Sequence, residues 1–244
     1  MTTIRLEVCV DTLDDAVTAA EAGAHRIELC SALEVGGLTP GIGLVRNAVL
    51  SDTPMFAMIR PRAGDFIYSG RDIECMLTDI EHLRATGISG FVFGALNPDQ
   101  SLDEKSLAQM IAACDGLPTT LNRAFDLCKD PLRSLDVAMR LGFDRVLTSG
   151  AAASVVDGLP LLKELFVAAT DRIIVLPGGG VTPGTATILL EELPVQELHA
   201  SCKTPVVETA TPGSDVNVGR DVSRHRYRTD PDILHELLNV IASQ

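Results

Sequence analysis

Basic residues are in short supply. Twenty lysines and arginines face 33 aspartates and glutamates, which leaves a formal charge of −13. Nucleic acid and anionic membranes both need clustered basic surface, so neither is an expected partner. Only Lys105, Lys129, Lys163 and Lys203 are lysines, and none falls in an expected strand. A Schiff-base mechanism needs an amine aimed into a site, so it is not expected. No apolar run reaches the roughly 18 residues of a membrane span. The opening MTTIRLEVCV enters a strand pattern at once instead of reading as a leader. A cytoplasmic protein is expected. Six cysteines (9, 30, 75, 114, 128 and 202) are scattered without any CxxC pair. That excludes a zinc knuckle or thioredoxin-like motif and leaves free thiols as the default.

What is present is alternation. Ile4–Val10, His25–Cys30, Met55–Arg60, Ser89–Leu96, Pro118–Phe125, Asp144–Ser149, Asp171–Pro177 and Val195–Ser201 read as eight short strands separated by amphipathic helices. Thr12 with Asp15 has the spacing of a capping box. Asp130–Pro131 and Thr182–Pro183 read as cap plus first helical residue, and Gly23, Gly87 and Gly142 as stops. Eight βα units in 244 residues match a (β/α)8 TIM barrel built as a single domain. A doubly wound open sheet would show near-continuous hydrophobic strands. Several strands here instead carry Glu, Arg, Thr or His toward their C-terminal ends. The barrel core is expected over residues 1–202. Residues 203–244 are expected to add a long loop, Lys203–Arg228, and a closing helix from Asp230. A loop of that length is usually functional, mobile or a contact between copies of the chain, so a homo-oligomer is one expectation.

RLEVC (Arg5–Cys9) and RIELC (Arg26–Cys30) repeat one pattern 21 residues apart. Strand side chains alternate, so Glu7 shares a face with Cys9, and Glu28 with Cys30. In a barrel that face points into the lumen, and the four side chains converge on the C-terminal mouth, where barrel active sites sit. Two thiols on neighbouring strands could bind one soft cation such as Cu(I), and two small buried residues are the bland alternative.

Other strand ends carry polar groups. Arg60 and Arg123, the latter beside Asn122 and Asp126, have the fork geometry for carboxylate or phosphate. Alternatively, they neutralise Glu7 and Glu28 in a buried ionic layer. Gly178, Gly179 and Gly180 open a helix, a place where barrels hold anions, although a tight turn explains them too. Thr148 and Ser149 top the sixth strand, and His199 the eighth. An enzyme reading follows: Arg60, Arg123 and the glycine amides hold a small phosphorylated or carboxylated substrate. Glu7, Glu28, Asp126 and His199 then serve as acid–base groups.

Taken together, LEVCVD, RIELCSALEVGGLTP, MIRPRAGDFIYS, NRAFD, RVLTSG, PGGGV and LHAS resemble, in order and spacing, the CutC copper homeostasis protein family. The resemblance runs to about Ser201. It implies a cytosolic (β/α)8 barrel that takes part in copper homeostasis, with Cys9 and Cys30 as Cu(I) ligands. The polar mouth residues it matches are Glu7, Glu28, Arg60, Arg123, Asp126 and His199. One departure is Asn122, where the family commonly has His; an Asn cannot shuttle protons near neutral pH.

Overall fold

A computed structural model describes residues 4–207 and 225–243. Eight parallel strands alternate with helices in chain order. β1 (Arg5–Val10), α1 (Leu13–Glu21), β2 (Arg26–Leu29), α2 (Ile42–Ala48), β3 (Met55–Met58), α3 (Gly70–Arg84), β4 (Gly90–Phe93) and α4 (Glu104–Ala113) form the first half. The second half is β5 (Thr119–Leu121), α5 (Pro131–Leu141), β6 (Arg145–Thr148), α6 (Leu159–Ala169), β7 (Ile174–Pro177), α7 (Pro183–Glu192) and β8 (Glu197–Ala200). Each strand pairs with its sequence neighbours, and β1 also pairs with β8. A single parallel bridge, Gly178 to His199, joins β7 to β8 and closes the ring. The fold is the expected (β/α)8 barrel.

Two hydrophobic layers follow from strand alternation. Leu6, Val8, Ile27, Leu29, Phe91, Phe93 and Val146 point outward and are covered by the helices, forming the large core. The lumen keeps a small apolar cluster of Cys30, Phe56, Met58 and Val92. The remaining lumen positions are largely polar.

Local signals explain most helix starts. Thr182 caps α7 with Pro183 at its first position, and Asp130 caps α5 with Pro131 likewise. At α1 the capping box is only half made. Thr12 Oγ1 accepts the Asp15 N–H and donates to Asp15 Oδ2, while Asp15 Oδ1 accepts the distant Thr229 N–H at 2.6 Å in place of the Thr12 N–H. Strand ends are corrected too. The fifth strand stops at Leu121, and Arg123–Leu127 wind into a 3₁₀ turn capped by Asn122. Arg60 lies two residues beyond β3. The ends of the expected Lys203–Arg228 loop pair as an antiparallel ribbon, β9 (Lys203–Val207) and β10 (His225–Thr229). Residues 208–224 lie outside the described residues. The closing helix α8 runs over Pro231–Ala242.

Candidate functional site

The register sets Glu7 beside Arg26 on β2 and beside His199 on β8. Neighbouring strands stand about 4.8 Å apart, close enough for these side chains to meet, and they do so deep in the lumen. Arg26 donates to Glu7 Oε2 and to Glu197 Oε2, each at 2.5 Å. Arg145 donates to both oxygens of Glu197, at 2.8 and 3.2 Å. The Phe56 ring takes the two guanidinium groups at 5.0 and 5.6 Å. It fits because position 90 is glycine: a Cβ there would stand 2.5 Å from the ring.

Above this floor, His199 Nδ1 lies 2.7 Å from Glu7 Oε1 and 3.6 Å from Glu28 Oε2. The six groups alternate in sign from floor to mouth: Arg145, Glu197, Arg26, Glu7, His199, Glu28. Burial would raise the Glu7 carboxyl, but Arg26 and His199 outweigh it and hold it at about 2. Burial would also lower His199, yet Cys9, Glu7 and Glu28 carry it well above the usual imidazole value. That upward push favours the protonated ring, which donates from Nδ1 to Glu7. Glu28 ends the ladder. Burial pushes its carboxyl up to about 7 against the pull of His199. Its Oε1 is buried without a hydrogen-bond partner among the described residues.

Cys9, Glu28, Cys30 and His199 line one cavity of about 550 Å³ at the C-terminal mouth, and Met58 and Arg123 also border it. Cys9 stands beside Glu28 in the register, so Cys30, two residues further along β2, is its diagonal neighbour. Cys9 is half-buried, Cys30 fully buried, and both are free thiols. Burial, with the charge of Glu28 behind it, pushes the Cys30 thiol well above its ordinary value. Gly37 covers it so closely that a Cβ would meet Sγ at 3.0 Å.

A harder donor set lies just below: one ligand atom from each of Glu7, Glu28 and His199 falls within 4.8 Å of the others. Arg26 and His199 already occupy both oxygens of Glu7, however. Cys9 and Cys30 border the cavity beside this set.

Several expected site residues have other work. The Arg60 guanidinium, buried over the Phe66 ring at 4.6 Å, donates to the carbonyls of Val35, Gly37 and Gly64. It ties together the loops that follow β2 and β3, and it pairs with neither Glu7 nor Glu28. The Asp126 carboxylate accepts from Thr148 Oγ1, from the N–H groups of Ser149 and Ala151, and from Arg123 Nε. So many donors hold the carboxylate in place, and it occupies the donors of Thr148 and Ser149. Asn122 Oδ1 accepts the Ala124 N–H while Nδ2 faces Met58 Sδ at 3.7 Å. Gly178 belongs to the closing bridge. Arg123, Gly179 and Gly180 remain on the cavity wall. Lys203, expected in a loop, starts β9, reaches the rim of the cavity and lies over the Tyr227 ring.

Arg26, Arg145 and Glu197, the base of the ladder, were not among the expected site residues. Arg26 has the same strand parity as Glu28, and Glu197 the same as His199, so alternation carried the signal. Their pairing, however, depends on a register that no single strand displays.

No described helix is long and apolar enough to cross a membrane. The CutC family model matches residues 4–204. The family protein CutC of Sinorhizobium medicae is 47% identical over 204 residues, which is 84% of this chain and 83% of that protein. The human copper homeostasis protein cutC homolog is 46% identical over 200 residues, covering 82% and 73%. A crystal structure of the putative copper homeostasis protein CutC from Streptococcus agalactiae superposes with a TM-score of 0.77 at 30% identity, covering 81% of this chain and 98% of that one. Phosphoribosylanthranilate isomerase from Thermotoga maritima, at 12% identity and a TM-score of 0.60, shares the fold alone. With barrel, mouth and relatives in agreement, the chain belongs to the CutC family.

Proposed function

We propose that this protein takes part in copper homeostasis by holding one Cu(I) ion between Cys9 and Cys30 at the barrel mouth. The observation that carries the reading is the placement of two unbridged thiols on adjacent strands in one cavity wall. The carboxylates below them support it. Glu28 beside Cys30 draws in a cation and is placed to accept the proton a thiol releases as its sulfur becomes a ligand. The copper homeostasis names of the human and mouse relatives point the same way. An anaerobic Cu(I) competition titration of wild type against Cys9→Ser/Cys30→Ser tests it. A one-to-one site should be present in the wild type and lost in the double variant. Equal affinity in both proteins would remove copper from this site.

A further inference from the structure

The Cu(I) reading leaves the opposite wall of the cavity without a task. There Gly179 and Gly180, at φ 106° and 83°, lead into the ten-residue helix α7. Gly178 N–H bonds Thr148 and the Gly179 carbonyl accepts from Val155, but the Gly179 and Gly180 N–H groups have no acceptor among the described residues. Arg123 closes the corner. Its Nε is bound to Asp126 and its Nη2 to Ser149, while Nη1 lies 3.3 Å from where a Gly179 Cβ would stand and bonds nothing described. Gly179, Gly180 and Arg123 line the same cavity just ahead of α7, so two unclaimed backbone N–H groups and a guanidinium N–H belong to one corner of it.

Another wall also has unfilled polar capacity. Glu28 borders the same cavity at 2% exposure and keeps Oε1 without a partner among the described residues. Buried polar atoms are rarely left unmatched, and a bound ligand is one remedy. The donors cluster by α7 and the spare carboxylate acceptor sits by β2, so the cavity has an anion end and a hydroxyl-accepting end.

We propose that the mouth binds a small phosphate monoester carrying a hydroxyl group. Its phosphoryl oxygens would sit on Gly179 N–H, Gly180 N–H and Arg123 Nη1, with its hydroxyl toward Glu28. Phosphate is assigned over carboxylate because the corner offers three donors and a phosphoryl group brings three oxygens where a carboxylate brings two. Three of the arginine- and glycine-bearing positions expected for anions serve, while Arg60, Thr148 and Ser149 do not contact the ligand's anion.

The test follows the 31P linewidth of glycerol 3-phosphate, and separately of orthophosphate, on titration with the metal-free full chain. Wild type should give saturable binding of both. Arg123→Gln should weaken both by roughly tenfold or more, the scale of a charge-assisted hydrogen bond. Gly179→Ala should do the same, because an L side chain is strained at that φ. Glu28→Gln should weaken only the glycerol ester, and Arg140→Gln, on the exposed face of α5, neither. Circular dichroism melts show whether a variant has lost its fold; Arg123→Lys, which keeps the charge, stands in if Arg123→Gln has. Non-saturable binding by wild type, or full affinity in folded Arg123 and Gly179 variants, overturns the site. Malonate competing as well as orthophosphate overturns the phosphate assignment. Repeating the titration with Cys9→Ser/Cys30→Ser, which should bind normally, separates this site from the copper reading.

Discussion

The floor and the mouth of this barrel are built from the same residue types and handle them in opposite ways. On the floor, Arg26, Arg145, Glu7 and Glu197 are paired through four donor–acceptor contacts, with Arg145 Nη1 alone left over, and the Phe56 ring covers the two guanidinium groups. At the mouth, two thiols are unbridged, and a carboxylate oxygen of Glu28 and two glycine N–H groups stand without partners among the described residues. A buried charge is tolerated when paired and costly when not. The polar floor is therefore a structural device, and the polar mouth is where the proposed ligands would sit.

The sharpest way to break the contrast is at the floor. Arg26→Met leaves Glu7 and Glu197 facing each other without their shared cation and should cost roughly 3–5 kcal/mol in urea unfolding. A loss below about 1 kcal/mol would mean the network is dispensable and the distinction between floor and mouth false.

Next comes the junction, Glu28. Its folded value near 7 lies above its ordinary 4.5, so the folded state holds the extra proton within that window and stability falls as pH rises through it. Glu7, held near 2, acts in the opposite sense and loses its contribution only as pH drops from 4.5 toward 2. Wild type should lose of order 3 kcal/mol between pH 4.5 and 7 from Glu28, at about 1.4 kcal/mol per pH unit. Glu28→Gln should flatten that loss. Parallel stability–pH curves for the two proteins would place Glu28 with the satisfied floor instead of the open mouth.

The smallest effect is expected at the rim. Asn122→Ala removes the cap on the Arg123–Leu127 turn and should lower stability by about 1 kcal/mol, as side-chain caps do. Because Asn122 carries no charge into the lumen, the pH dependence should stay as in wild type, read by the same unfolding series. A change in that slope would tie the cap to the ionic ladder.

Much of the fold was legible because each βα unit announces itself within a few residues: alternating strands, Asp130–Pro131 and Thr182–Pro183 at helix starts, Gly142 at a stop. The inward face of Glu7, Cys9, Glu28 and Cys30 was legible for the same reason, since alternation is a property of one strand. What stayed hidden depends on contacts distant in sequence. Asp15 has the spacing of a purely local capping box, yet one of its carboxylate oxygens serves Thr229, 214 residues away. Asp126 and Arg60 looked like site groups because strand ends in barrels carry them. Only the folded loops show that backbone amides satisfy the one and backbone carbonyls the other. Arg26 and Arg145 were hidden by register, which turns residues from separate strands into one chain of charge.

One feature of the ring has a bearing on both walls of the cavity. β7 and β8 meet at one bridge, Gly178 to His199. Gly178 adjoins the turn that borders the α7 side, and His199 is the upper rung of the ladder on the thiol side. The seam of the barrel therefore runs between its two unfilled corners. A guest that engaged both would brace the seam from either side, and the barrel's resistance to opening there would rise with occupancy of the mouth.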